Sequence, residues 1–199
     1  MNDELARATA LVPAEYHLFQ IADPQGPVAD DLDAAQNGLV SAVGGVIAVS
    51  TSIHTGRVRV TVETHSQRPD SAPGWEEVAE MSCHSPSGEV VVTPMMDDPA
   101  DLPSLASQGP GPYRLRVHAL GRDTAVDEST DDVVESYLIQ SRPAAYQDAL
   151  LVKATDDYGA QVRARPADDT FVIDHEDSPD TQTGRERDIL RRAGRGDYS

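Results

Sequence analysis

Strict alternation of apolar and polar residues is the feature of this sequence that most limits its fold. Residues 57–63, Arg-Val-Arg-Val-Thr-Val-Glu, place a valine at every second position. Successive side chains of a strand point to opposite faces, so one face of this segment is apolar and the other polar. The same period recurs in residues 113–119 and 135–140, and residues 46–49 are apolar throughout, as in a more buried strand. The sequence therefore predicts a fold dominated by β-strands.

Glycine and proline separate these strands. Thr55-Gly56 predicts a tight hairpin, Pro86-Ser87-Gly88 predicts a turn, and the Gln-Gly-Pro-Gly-Pro of residues 108–112 excludes a helix there. Weaker strand patterns cover residues 15–21, 77–83 and 89–93. Because the strands follow one another with turns rather than long helices between them, we predict an all-β fold, an antiparallel β-sandwich. Short helices fit only residues 31–37 and 143–153.

The apolar pattern fades after residue 155. Residues 168–180 contain six acids and no base, and residues 185–195 contain five arginines against two acids. Such a polar segment cannot bury enough apolar surface to offset chain entropy. We therefore predict a flexible N-terminus over residues 1–13, a β-sandwich domain over residues 14–155, and a disordered acidic and arginine-rich C-terminal tail over residues 156–199.

Negative charge indicates the class of partner. The chain of 199 residues carries a net charge of −18, and residues 1–141, with 22 acids, seven arginines and no lysine, account for −15 of it. Such a domain repels nucleic acid and attracts a basic protein through long-range steering, although acidic loops are also a common means of staying soluble. The carboxylates that we predict to contact the partner lie in two loops: Asp97, Asp98, Asp101, Asp127, Asp131 and Asp132.

No arrangement of residues predicts catalysis, a cofactor or a metal site. Cys83 is the only cysteine, so no internal disulfide is possible, and its neighbour His84 should point to the opposite face of a strand. The six histidines lack a two-ligand helical spacing, and no phosphate loop or nucleophile elbow is present. The chain is thus predicted not to be an enzyme. It lacks a leader or an apolar stretch of about 18 residues, which predicts a cytoplasmic protein without a membrane partner; its oligomeric state stays open.

Basic and polar residues at the outward positions of the strands admit two interpretations. If their strands are neighbours, Arg57, Arg59, Arg114, Arg116 and His118 share one face of the sheet. They would then form either an anion site or cross-strand ion pairs with Glu63 or Glu135. We favour ion pairing, with the anion site as the alternative.

A family resemblance adds a specific partner. The motifs that carry it are Tyr16-His17, the Ala-Val-Gly-Gly-Val-Ile of residues 42–47, the valine strand after Gly56, the Gly-Pro-Tyr-Arg-Leu of residues 111–115, and the Tyr-Leu-Ile of residues 137–139. In their order and spacing, residues 15–141 resemble the competence protein J family, small β-proteins of Gram-positive bacteria that inhibit a DNA-entry nuclease. The resemblance implies an antiparallel β fold and inhibition by direct binding, with no catalytic residue to transfer.

Two functions follow as hypotheses. In the first, the chain is a non-enzymatic, acidic protein-binding module, an inhibitor or immunity-type protein whose basic partner is a nuclease. The second is a regulatory or scaffold protein that acts through its C-terminal tail. The tail and the long loops of residues 66–74 and 121–132 distinguish this chain from the family that it resembles.

Overall fold

The structure is a computed structural model that describes residues 4–26, 37–70 and 72–165. These ranges contain eleven strands and one short helix. The strands are β1 Glu4–Glu15, β2 Leu18–Ala22, β3 Val40–Val43, β4 Val46–Ser50, β5 Thr55–His65, β6 Glu77–Ser85, β7 Val91–Thr93, β8 Gly111–Leu120, β9 Ser129–Thr130, β10 Ser136–Pro143 and β11 Leu150–Ala154, and the helix is α1 Asp157–Ala164. The prediction of a strand-dominated fold is confirmed.

The strands are joined by hydrogen bonds in the order β11-β6-β8-β10-β5-β1-β2-β4-β3, with β7 beside β2 and β9 beside β5. Most neighbours are antiparallel, but β5 pairs in parallel with both β10 and β9. The prediction of a purely antiparallel arrangement is therefore wrong at β5. Its period of two showed that β5 was a strand but carried no information about the direction of its neighbours. The sandwich arrangement stays a prediction.

The apolar faces of the strands meet in one core. Val58, Val60 and Val62 of β5 are fully buried, as their alternation predicts. They share a core cluster with residues of β2 and β10, where the rings of Phe19 and Tyr137 meet edge to face with their centroids 5.2 Å apart. Each large apolar side chain that is removed from water in this way stabilises the fold by about 1.5–3 kcal/mol.

The N-terminal half differs from its prediction in two places. Residues 4–13, expected to be flexible, form most of β1, which pairs with β5 from Glu4 to Glu15. Residues 15–21, expected to be one strand, contain the two-residue turn between β1 and β2. Thr55-Gly56 begins β5 rather than closing a hairpin, because β5 pairs with β1, β9 and β10 instead of with β4.

The C-terminal part of the described chain is also more ordered than its polarity suggests. Residues 143–153, considered as a helix, instead contain the end of β10, a connecting segment and most of β11, and β11 pairs with β6. Helix α1 lies within the predicted tail; its N-cap is Asp156, and Asp123 accepts hydrogen bonds from the first helical N–H groups. Residues 166–199 and most of the predicted helix at residues 31–37 lie outside the described residues.

Buried charges attach α1 to the strands. Arg122, which is fully buried, donates from Nε to Asp156 at 2.7 Å and from Nη1 to the Gly38 carbonyl at 2.7 Å. Its guanidinium lies 5.3 Å from the centroid of the Tyr158 ring. Fully buried Glu77 accepts a hydrogen bond from Arg163 of α1. A Cβ atom at Gly159 would lie 2.7 Å from Arg122 Nη2, so only glycine fits where the helix meets this network.

Candidate protein-binding surface

The turn between β1 and β2 is the centre of the candidate site. Glu15 pairs with Leu18, which leaves Tyr16 and His17 as a two-residue loop with φ values of 53° and 65°. Positive φ at both positions gives the primed type of hairpin turn, whose twist matches that of the strands. This conformation is uncommon for residues other than glycine, asparagine, aspartate and histidine, and Tyr16 adopts it. It holds the Tyr16 side chain 65% exposed at the end of the hairpin.

Two further segments meet this turn. His17 Nε2 lies 3.1 Å from Asp127 Oδ1, and its Nδ1 lies 3.2 Å from the Ser52 carbonyl oxygen. The His54 ring stands edge-on to His17, with centroids 5.0 Å apart, and 5.7 Å from the Tyr16 centroid. Asp127 has a φ of 64°, so Tyr16, His17 and Asp127 are the positive-φ residues other than glycine within the described ranges. Backbone conformations of this kind often cluster at functional sites.

A groove of about 450 Å³ opens beside the turn. Carboxylates from three segments line it, namely Glu15 of β1, Asp97 of the loop after β7, and Asp131 after β9, together with Arg57 on the rim. Three carboxylates against one guanidinium give the groove a net negative charge. Its shape and charge suit a lysine or arginine side chain of a partner.

Two structural features bring these acids together. Strand β9 runs parallel to the start of β5, and a Cβ atom at Gly56 would lie 2.5 Å from the Thr130 carbonyl oxygen. Glycine at this position therefore permits the approach that places Asp131 at the groove. The loop that carries His54 is held by fully buried Glu135, whose Oε1 accepts from the N–H groups of Ser52 at 3.0 Å and Ile53 at 2.8 Å.

We define the hairpin surface as Glu15, Tyr16, His17, His54, Asp97, Asp127 and Asp131. Among the six acids predicted to bind a partner, Asp97, Asp127 and Asp131 belong to it. Asp98 and Asp132 are exposed neighbours of two of these in sequence. Asp101 does not line the groove; it follows Ala100, whose N–H bonds to the Val92 carbonyl of β7.

Exposed apolar side chains accompany the acids. Next to Asp97 in sequence, Met96 is 76% exposed, and next to Asp127, Val126 is 40% exposed. Tyrosine and methionine are enriched at the centres of protein interfaces, where they are surrounded by polar residues. Glu15, Tyr16, His17 and His54 were not among the predicted contacts, since the turn lacks the Asn-Gly signal that marks such hairpins.

On the predicted basic face, the structure shows ion pairs, but with a carboxylate other than the two that were predicted. Arg59 and Arg116 do share one face, with β10 between their strands. Arg114 and Arg116 are buried and pair with Glu80 rather than with Glu63 or Glu135. Sequence spacing could not identify Glu80, because β6 becomes a neighbour of β8 only in the folded sheet.

Cys83 and His84 diverge as their adjacent strand positions predict. Cys83 packs against the core, whereas His84 is exposed. Within the described ranges, no group of three or more histidine, cysteine, aspartate and glutamate side chains is arranged to hold a metal ion. The same ranges contain no helix of the length and apolarity that a membrane crossing requires.

We expect Cys83 to react slowly in the native protein. Burial, with a smaller contribution from the negative charge of Asp23, raises the pKa of the thiol to about 12. The thiolate, which is the reactive form, is therefore scarce at pH 8. Iodoacetamide labelling at pH 8 should be at least about a hundredfold slower in the folded than in the urea-unfolded chain. Equal rates in the two states would contradict this assignment.

Comparisons with known proteins yield two solved structures. No family model matches the chain, and no curated protein matches it. The crystal structure of ComJ from Bacillus subtilis, an inhibitor of the DNA-degrading activity of NucA, shows 18% identity and a TM-score of 0.49 over 72% of this chain and 99% of ComJ. The structure named crocagin biosynthetic gene J shows 15% identity and a TM-score of 0.42 over 70% of this chain and 98% of its own. A competence protein J structure is thus among the structural neighbours of this chain, as the sequence resemblance indicates.

Proposed function

We propose that this chain is a non-enzymatic module that binds a basic protein through the hairpin surface. The observation that carries the proposal is the convergence of Glu15, Asp97, Asp127 and Asp131 around an exposed tyrosine. These acids come from three separate segments, since Asp127 and Asp131 flank β9, so their grouping is a product of the fold. Negative charge would speed the encounter, and Tyr16 would supply the apolar contact that slows dissociation.

A nuclease is the partner that we propose, on the basis of the family resemblance in the sequence. A nuclease that degrades DNA attracts a polyanion, so the surface around its active site is basic or loaded with metal ions. The hairpin surface would cover such a site and exclude DNA by competing for the same positive charge. The single cysteine suits a reducing compartment, so we expect the encounter to take place in the cytoplasm.

Affinity capture with matched variants tests this function. The tagged chain, the double variant Asp97→Lys/Asp131→Lys, and the control Glu89→Lys/Asp148→Lys are incubated with native host lysate. The two double variants change the net charge equally, and Glu89 and Asp148 are exposed residues away from the hairpin surface. We expect a basic protein to be retained by the wild-type and control chains, lost from the hairpin variant, and released by salt.

The captured protein is then assayed for DNA cleavage with increasing amounts of the chain. Loss of cleavage at a one-to-one ratio supports a nuclease inhibitor. Retention of the same proteins by the hairpin variant and the wild-type chain would contradict the proposed surface. The alternative, a scaffold that acts through its tail, predicts that capture is lost when residues 166–199 are removed.

A further inference from the structure

The arginines of the strand domain gather on one face of the sheet. Cross-strand pairs place Arg59 beside Ser136, and Glu63 beside Gln140, which is itself beside Arg116. Because side chains alternate between faces, all of these positions point to the side opposite the valine core. Strand β10 adds Arg142 to this outer face. Six of the seven arginines of residues 1–141 also lie on it: Arg7, Arg57, Arg59, Arg68, Arg114 and Arg116. A chain with a net charge of −18 thus has one basic face.

The carboxylate of Glu80 forms ion pairs with three of these arginines. Glu80 Oε1 lies 2.6 Å from Arg116 Nη2 and 3.3 Å from Arg68 Nη2, and Glu80 Oε2 lies 3.3 Å from Arg114 Nε. Glu80, Arg114 and Arg116 are buried, so water screens these charges weakly. Glu63, which lies across Gln140 from Arg116, is already engaged with Arg7 and His65.

The side chain of Arg142 forms no ion pair with a carboxylate in the part of the chain that the structure describes. It stands directly opposite Arg114 in the β8–β10 pairing, an arrangement of like charges that is destabilising without a counter-ion. Its guanidinium forms no hydrogen bond to another described residue, and the side chain is half-buried. Burial lowers the pKa of Arg142; Arg68, Arg114 and Arg116 lower it further, against the opposing effect of Glu80. Among the described residues, the three guanidiniums paired with Glu80 carry more positive charge than this one carboxylate neutralises, and Arg142 stands beside them.

We propose that Arg142, with Arg68 and Arg114 beside it, binds a phosphate group on this outer face. A guanidinium remains protonated despite a lowered pKa, and its fork of N–H donors matches the oxygens of phosphate. A phosphate group near neutral pH carries about −1.5 to −2 charges and three acceptor oxygens that point in different directions. It therefore meets guanidiniums that approach from different strands better than a planar carboxylate with one charge does.

The site is separate from the hairpin surface. Arg142 lies near the C-terminal end of β10, where it pairs with Arg114 and where Ser141 pairs with Thr64 of β5. The hairpin turn lies beyond the opposite end of β5, at Thr55. Failure of the phosphate site would leave the proposed protein-binding function intact, and the reverse also holds.

Calorimetric titration of the full chain with inorganic phosphate and with pyrophosphate, at constant ionic strength, tests the site. We expect saturable binding of both anions that weakens by about tenfold or more in Arg142→Gln, because a charge-assisted hydrogen-bonded partner is lost. The affinity of Arg142→Lys for these anions should lie between those of the wild-type chain and Arg142→Gln, since lysine keeps the positive charge but lacks the fork of N–H donors. Arg59→Gln is the matched control; this exposed arginine on the same face should be replaceable with less than about a twofold effect.

A second readout uses the wild-type chain alone and so does not depend on how the variants fold. In protein labelled with ¹⁵N-arginine, phosphate should shift the side-chain Nε resonances of Arg142 and Arg114 more than those of Arg57 and Arg59. Chloride that produces the same shifts at equal ionic strength would overturn the proposal. So would shifts confined to Arg57 and Arg59, or unchanged affinity in Arg142→Gln.

Discussion

A chain that ends at Thr155 is expected to fail to fold, whereas one that ends at Arg165 should unfold cooperatively like the full chain. The shorter chain lacks Asp156 and Arg163, the side-chain partners of Arg122 and Glu77, both of which are fully buried. It also lacks Tyr158 and Val162, which α1 buries. An uncompensated buried charge costs about 3–5 kcal/mol, a large share of the about 5–15 kcal/mol by which a domain is stable.

A point variant separates the charge effect from the loss of the helix. Asp156→Asn should lower the free energy of unfolding by about 3–5 kcal/mol, because Arg122 loses its charged partner, whereas an asparagine side chain can still cap α1. Asp157→Ala, which removes an exposed acid from the next residue, should cost less than about 1 kcal/mol. Thermal and urea unfolding measure both. Equal melting temperatures for the chains that end at Thr155 and at Arg165 would contradict the anchoring role of α1.

The second large effect concerns binding of the partner by the hairpin surface. Asp97→Lys/Asp131→Lys should slow association with the purified partner by about tenfold or more at low salt, and the rate should then depend less on salt. Tyr16→Ala should instead speed dissociation and weaken affinity by about 10- to 100-fold, as expected for a central aromatic anchor. Surface plasmon resonance at two salt concentrations separates the two rates.

Matched variants guard against indirect effects. Glu89→Lys/Asp148→Lys changes the net charge equally at other exposed positions, and Tyr16→Phe keeps the ring in the same left-handed backbone conformation. Both should bind within about threefold of the wild-type chain. A comparable loss of association rate in the two charge-reversed double variants would mean that overall charge, and not the hairpin surface, governs the encounter.

The alternation of apolar and polar residues predicts those strands that have one buried face and one solvent-exposed face. Val58, Val60 and Val62 are buried as predicted, while Arg57 and Arg59, which alternate with them, are exposed. The same rule failed for Arg114 and Arg116, which are polar and yet buried. The Pro69 carbonyl and the Gln147 carbonyl approach them from two connecting segments, and Glu80 neutralises them. Alternation shows which side chains share a face, but not what covers that face.

The ordered C-terminal segment was missed for a related reason. Polarity predicted disorder from residue 156, but Asp156 bonds to Arg122, which is 34 residues away in sequence. Sequence composition treats both residues as solvated, whereas the fold buries them as a pair. The parallel neighbours of β5 were equally invisible, since the pairing that places Asp131 beside Asp97 and Glu15 depends on residues far apart in the chain.

Half of the acids that were predicted to contact the partner lie on the hairpin surface. Charge alone selected Asp97, Asp127 and Asp131 together with Asp98, Asp101 and Asp132, because loops rich in acids look alike in sequence. In the fold, the first three of these acids lie near the turn at Tyr16 and His17. The sequence contains no local signal for the backbone conformation of that turn.

Hydrogen exchange of the full chain, free and bound to its captured partner, tests the central claim most directly. The account predicts that binding slows exchange in four segments that form or flank the hairpin surface: residues 14–17, 52–56, 95–98 and 126–132. Exchange along β11 and around Arg142 should stay unchanged. Protection confined to the β11 edge or the arginine face, with the hairpin segments unaffected, would contradict the account and move the binding surface to another part of the molecule.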